Sequence, residues 1–94
     1  IMNIGGQKVY PSEIENIIIN MENIEDVAVF SEYNPLMGNT VRAKVRLTQS
    51  EPVTSLKTRI RIECAKQLSS YKVPTKVIIS SEDLYSARMK KVRS

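Results

Sequence analysis

The 94-residue sequence has no histidine, no tryptophan, one phenylalanine and one cysteine, and each scarcity closes a class of chemistry. Without histidine, neither a Ser-His-Asp nor a Cys-His nucleophile can be assembled from this chain. The usual zinc ligand sets are equally out of reach, so no metal site is expected. A single cysteine cannot form an internal disulfide. Cys64 falls at helical spacing from Ile60 and Leu68, which predicts an inert core position in preference to a reactive thiol. With Phe30 as the only phenylalanine, no platform for stacking bases is readable, and nucleic acid is not an expected partner. No apolar run is long enough for a membrane span and no charged-then-apolar leader is visible; the expected compartment is the cytoplasm.

What is present is a modestly basic chain. Fourteen Lys and Arg stand against ten Asp and Glu, a net charge of +4. One basic cluster, Lys57, Arg59, Arg61 and Lys66, reads as the solvated face of a helix. A second, Arg88, Lys90, Lys91 and Arg93, lies at the C-terminus. The length bounds one domain, 1–94, with a limited core. The sequence opens on Ile1 already inside a strand-like run, which leads us to expect a piece of a longer polypeptide.

The local signals come in a definite order. Residues 1–4 and Val9-Tyr10 flank Gly5-Gly6, the pattern of a hairpin with a glycine tip. Pro11 stops further pairing, and Ser12 and Glu15 have the S-x-x-E spacing of a capping box, predicting a helix from Ser12. Ile14, Ile17, Ile18 and Met21 form its apolar stripe, with an end expected between residues 21 and 23. Val27, Val29 and Phe30 belong to a strand. The turn cluster 34–39 leads into a second strand, in which Val41, Ala43, Val45 and Leu47 alternate with Arg42, Lys44 and Arg46. These two strands read as an antiparallel pair. Pro52 suits the first position of a second helix, whose face is marked by Val53, Leu56, Ile60, Cys64 and Leu68 and excludes Ile62. Pro74 ends that helix by residue 69 or 70, and Val77-Ile78-Ile79 reads as a short buried strand. The sum is α+β: a small mixed sheet with an N-terminal hairpin, packed against two or three helices.

Two runs carry a family resemblance. Gly5-Gly6-Gln7-Lys8-Val9-Tyr10-Pro11-Ser12-Glu13-Ile14-Glu15 resembles the G-G-x-x-V-x-P-x-E-I-E segment after the hinge of AMP-forming adenylating enzymes, the superfamily of acyl- and aryl-CoA synthetases, nonribosomal adenylation domains and luciferases. Leu68-Ser69-Ser70-Tyr71-Lys72-Val73-Pro74 resembles their L-x-x-Y-K-V-P run. The first run looks more like the CoA ligases than the peptide-synthetase branch. The likeness covers essentially the whole chain as the small C-terminal lid domain, without the large ATP-binding domain.

The resemblance implies a reaction and two site loops. In the family, carboxylate and ATP with magnesium give an acyl-adenylate and pyrophosphate, and CoA then displaces AMP; the lid supplies a lysine from a P-x-T-x-x-G-K-I-x-R loop for the first step. The corresponding stretch here, residues 84–94, departs from that pattern. Aligning Val92 with the apolar residue after the lysine makes Lys91 the catalytic candidate, whereas aligning Arg93 with the final arginine favours Lys90. We prefer Lys91, because an apolar anchor fixes the direction of a loop residue. A mobile cation suits the step, since carboxylate attack on a phosphate joins two anions and builds charge in the transition state. Gly5 and Gly6 are expected to line the pantetheine channel after the lid swings, although a glycine pair also serves simply to give a hairpin tip positive φ. ATP, magnesium and CoA would be bound mainly by the large domain, and the isolated chain would be inactive. Two alternatives stay open: an adenylating enzyme that loads a carrier-protein phosphopantetheine, and a small basic interaction module without catalysis.

Overall fold

The computed structural model describes residues 1–81. Its elements run β1 (Met2–Ile4), β2 (Gln7–Val9), α1 (Pro11–Ile19), β3 (Ile24–Asn34), β4 (Gly38–Leu47), α2 (Val53–Gln67), a 3-10 turn (Ser70–Lys72) and β5 (Lys76–Ile79). β1 and β2 form a separate antiparallel ribbon, and the main sheet has the order β3-β4-β5. β3 pairs antiparallel with β4, and β5 parallel with β4. The expected α+β arrangement, with an N-terminal hairpin, a small mixed sheet and two α-helices, is the one found.

The alternation in β4 sets the layers. Val41, Ala43 and Val45 are buried, while Arg42, Lys44 and Arg46 keep partial exposure on the opposite face. Val27 and Val29 stand opposite Val45 and Ala43, and Val77 opposite Ala43, so three strands present valine or alanine to one core. Ile14 and Ile18 of α1 and Leu56, Ile60 and Cys64 of α2 are fully buried in that core, joined by Met2, Ile4 and Val9 of the hairpin. Burial of side chains this size contributes roughly 1.5–3 kcal/mol each for the larger aliphatics.

Several sequence expectations are corrected. Helix α1 begins at Pro11 with Tyr10 as its N-cap, because proline needs no partner for its missing N–H at the first helical position. Glu13, not Glu15, therefore occupies the third position, and its Oε2 accepts from the Tyr10 N–H at 3.4 Å. Glu15, freed of that role, accepts the Val29 N–H at 2.8 Å; Asp26 accepts that of Val27 at the same distance. Val27 and Val29 are two apart on β3, an edge strand among the described residues, so both amides point to the side away from β4. The helix also stops at Ile19, short of the expected end.

At the second helix, Pro52 is the N-cap and Val53 the first helical residue. Val53, placed on the apolar face by its spacing, is 46% exposed; Ile62, excluded from that face, is exposed as expected. In β5 only Val77 is buried, and Ile79 is 38% exposed. Ile79 pairs with Val45 at the last position of the strand, so it shares the core-facing side with Val77 and is less covered there.

Candidate functional site at the two ends of the sheet

Gly5 and Gly6 form the tip of the β1–β2 hairpin, with φ of 57° and 84°, the pair of positive values that a type I′ turn requires. The Gly6 N–H donates to Asn3 Oδ1 at 3.0 Å. A Cβ built on either glycine would meet nothing within 4 Å. The chain itself therefore leaves room for a side chain there, and the requirement it imposes is on backbone angle alone.

The hairpin sits beside the tip of the main sheet. Asn39 Nδ2, next to the β3–β4 turn, donates to the Asn3 carbonyl at 3.0 Å. That turn is an Asx turn: Asn34 Oδ1 accepts from the N–H groups of Leu36 and Met37 at 2.8 and 3.1 Å, and Gly38 follows with φ 78°. Its apolar residues are turned outward, with Leu36 96% exposed and Met37 and Tyr33 also well exposed.

The other end of β4 is built differently. Asn23, held at φ 68°, receives the Gln49 N–H on Oδ1 at 2.7 Å and the Thr48 N–H on its carbonyl at 3.1 Å, and donates through Nδ2 to the Gln49 carbonyl and to Glu51 Oε1. Arg59 from α2 grips Glu51 with two parallel bonds, Nε to Oε2 at 3.0 Å and Nη2 to Oε1 at 2.9 Å, and reaches the Glu22 carbonyl. The hydrogen bond from Arg59, helped by that from Asn23, holds the Glu51 carboxyl below the usual carboxylate range; the same bond raises the Arg59 guanidinium. The expectation of a wholly solvated basic face fails at Arg59, which clasps three segments together. The only sequence signal for it was an asparagine, a residue that tolerates left-handed backbone, between a helix and a strand.

β5 leaves the sheet at this clasped end. The Ser80 N–H bonds the Val45 carbonyl at 2.8 Å, whereas the glycine hairpin adjoins Asn39. Six residues of strand separate those positions, about 20 Å at the usual rise. Lys90 and Lys91 lie outside the described residues. Cys64, between the two layers, is buried; desolvation, with a smaller contribution from Glu63, pushes its thiol up to about 11, in keeping with an inert core residue. Among the described residues no group of three or more His, Cys, Asp or Glu could hold a metal ion, and no helix is long and apolar enough to cross a membrane. Two open grooves, of about 520 and 710 Å³, flank Ile62 on α2; neither includes the glycine hairpin.

Known proteins share this arrangement. The chain is 35% identical over 77 residues to the 3,4-dihydroxybenzoate–(aryl-carrier protein) ligase of Bacillus anthracis, covering 82% of this chain and 17% of that protein. It is 29% identical to the 2-succinylbenzoate–CoA ligase of Geobacillus kaustophilus, covering 95% of this chain and 18% of the relative. Its fold matches a fatty acyl CoA synthetase of Mycobacterium tuberculosis with TM-score 0.72 at 32% identity, over 86% of this chain and 16% of that one. The class is thus that of a small α+β domain found within much larger ligases. The chain belongs to the AMP-binding enzyme C-terminal domain family, whose profile matches residues 13–91. It spans less than a fifth of the length of the curated relatives named here.

Proposed function

We propose that this chain is the mobile C-terminal lid of an ATP-dependent, AMP-forming carboxylate–CoA ligase, and that its two ends serve successive half-reactions. The observation that supports this reading is the match of residues 13–91 to the AMP-binding enzyme C-terminal domain family, together with an open glycine hairpin at the tip of the main sheet. The proposed lid turns between the two steps. In the first orientation, Lys91 offsets the charge that builds as the substrate carboxylate attacks the α-phosphate of ATP and pyrophosphate leaves. In the second, Gly5 and Gly6 line the path of the acceptor thiol, which attacks the acyl carbon and releases AMP. The open space around both glycines suits a surface that another body approaches closely. ATP, magnesium, CoA and the carboxylate are held mainly by the large domain of the same polypeptide, in the cytoplasm.

A second acceptor is favoured by one observation. The relative with 35% identity acts, by its name, with an aryl-carrier protein, and a carrier-borne phosphopantetheine presents the same thiol as CoA. The two acceptors separate in one assay. Full-length parent protein, loaded with its acyl-adenylate, is offered CoA or a phosphopantetheinylated carrier protein, and AMP release is followed. Release with CoA supports the CoA-ligase reading, release with the carrier alone supports the other, and release with neither overturns both. The purified 94-residue chain alone should give background pyrophosphate exchange; clear carboxylate-dependent exchange would contradict the lid assignment.

A further inference from the structure

Two residues from the motifs that carry the family resemblance meet in space, and neither has a part in the chemistry above. Glu13, from Pro11-Ser12-Glu13-Ile14-Glu15, and Lys72, from Leu68-Ser69-Ser70-Tyr71-Lys72-Val73-Pro74, are 59 residues apart in sequence, yet Lys72 Nζ lies 3.0 Å from Glu13 Oε1. Both side chains are mostly covered, with 21% and 33% exposure. The hydrogen bond to Glu13 raises the Lys72 ammonium above its ordinary range. Lys72 is confined further by the Tyr71 ring, whose centroid is 5.8 Å from Nζ.

The location gives the pair its meaning. The other oxygen of Glu13 accepts from the N–H of Tyr10, the residue directly after β2, so the carboxylate grips the point where the glycine hairpin joins α1. Lys72 closes the 3-10 turn that leads through Val73 and Pro74 into β5. The hairpin has no ladder to the main sheet. Met2, Ile4 and Val9 anchor it in the core, and its polar ties are the neutral bond from Asn39 to Asn3 on one flank and this charged pair at its exit. We propose that Glu13 and Lys72 are positioning residues that fix the glycine hairpin relative to the body of the lid, so that the thiol-transfer step depends on their ion pair. The inference rests on the reading of Gly5-Gly6 as the loop of the transfer step.

The test uses full-length parent protein carrying Lys72→Met, Lys72→Arg, Glu13→Gln or Gly6→Leu, with adenylation followed by pyrophosphate exchange and transfer followed from pre-made acyl-adenylate. Glu13→Gln keeps an oxygen for the Tyr10 N–H and loses only the charge. We expect Lys72→Met and Glu13→Gln to slow transfer by about tenfold or more, the scale of a small misplacement of a reacting group, while exchange stays within about twofold and thermal unfolding is little changed. Lys72→Arg, which keeps a cation in reach, should restore transfer to near the wild-type rate. Equal losses in both half-reactions, or no rescue by arginine, would show a merely structural pair. If Gly6→Leu slows transfer and neither charge-removing variant does, the positioning role alone is refuted. If Gly6→Leu leaves transfer intact, the glycine-loop reading falls and takes the positioning role with it.

Discussion

At the Gly38 end of the sheet, Asn3 Oδ1 accepts one N–H in the Gly5-Gly6 turn, Asn34 Oδ1 accepts two in the β3–β4 turn, Asn39 joins the two through the Asn3 carbonyl, and Tyr33, Leu36 and Met37 face outward. At the Leu47 end, Asn23, Glu51 and Arg59 knit two loops and a helix with a dense set of bonds, one of them a two-pronged guanidinium–carboxylate contact. Positive φ occurs at both ends, but with different uses. Asn23 spends its side chain on the chain itself, whereas Gly5 and Gly6 have no side chain and open space around them. The contrast teaches that one end is closed by its own polar groups, whereas the other leaves its turn residues open.

The largest effect expected bears on the lysine end. In the full-length parent, Lys91→Ala should lower adenylation by on the order of 10²–10³-fold, the usual loss on removing one transition-state contact, and Lys90→Ala should cost far less. Stopped assays of pyrophosphate exchange decide it; the reverse order would place the register on Arg93 instead of Val92.

At the glycine end, Gly6→Leu should slow transfer by about tenfold or more. Part of that loss could arise from a leucine forced to φ 84°, so Gly6→Asn sharpens the comparison. Asparagine accepts left-handed backbone, and in this chain its side chain meets no neighbour within 4 Å of the Cβ. Transfer that falls with Asn while the melting temperature holds would locate the obstruction outside this chain. A variant that transfers normally would assign the glycine to turn geometry alone.

A smaller effect tests the closed end. Because Glu51 titrates below its ordinary value in the folded state, its stabilisation is fully present above the unfolded pKa, near 4.5, and is lost as pH falls through the lower folded pKa. Thermal unfolding should therefore show Glu51→Gln melting below wild type at neutral pH, with the gap closing only well into acid. Arg59→Met should behave alike, whereas Lys66→Ala, which removes an exposed pair with Glu63, should leave the melting point essentially unchanged. The smallest effect concerns Cys64. Buried and with its thiol raised to about 11, it should resist a disulfide reagent in the native protein at pH 8 and react on denaturation.

Much of this was legible in the sequence, and the reasons are physical. Alternation in residues 41–47 and the isoleucine stripe of α1 report burial directly, so the layers and the antiparallel β3–β4 pair followed from the pattern. Gly5-Gly6 announced its turn because two consecutive positive φ angles leave few other residues possible. Boundaries were less legible: Pro11 and Ser12 are both good helix starters, and the choice between them was settled by which glutamate could reach back. The clasp of Asn23, Glu51 and Arg59 was hidden, because its members are 28 and 8 residues apart and no periodicity links them. The Glu13–Lys72 pair was hidden likewise, although each half stood in a motif. The lysine candidates, Lys91 and Lys90, stay where the sequence resemblance left them, outside the described residues.

The central claim is that the two ends work in different steps, and one crossed measurement tests it most directly. Rapid-quench kinetics on full-length parent protein, with adenylation and transfer timed separately in Lys91→Ala and Gly6→Leu, should show the first variant defective in adenylation and competent in transfer, and the second the opposite. If both variants impair the same step to the same extent, the two ends act together and the account is contradicted.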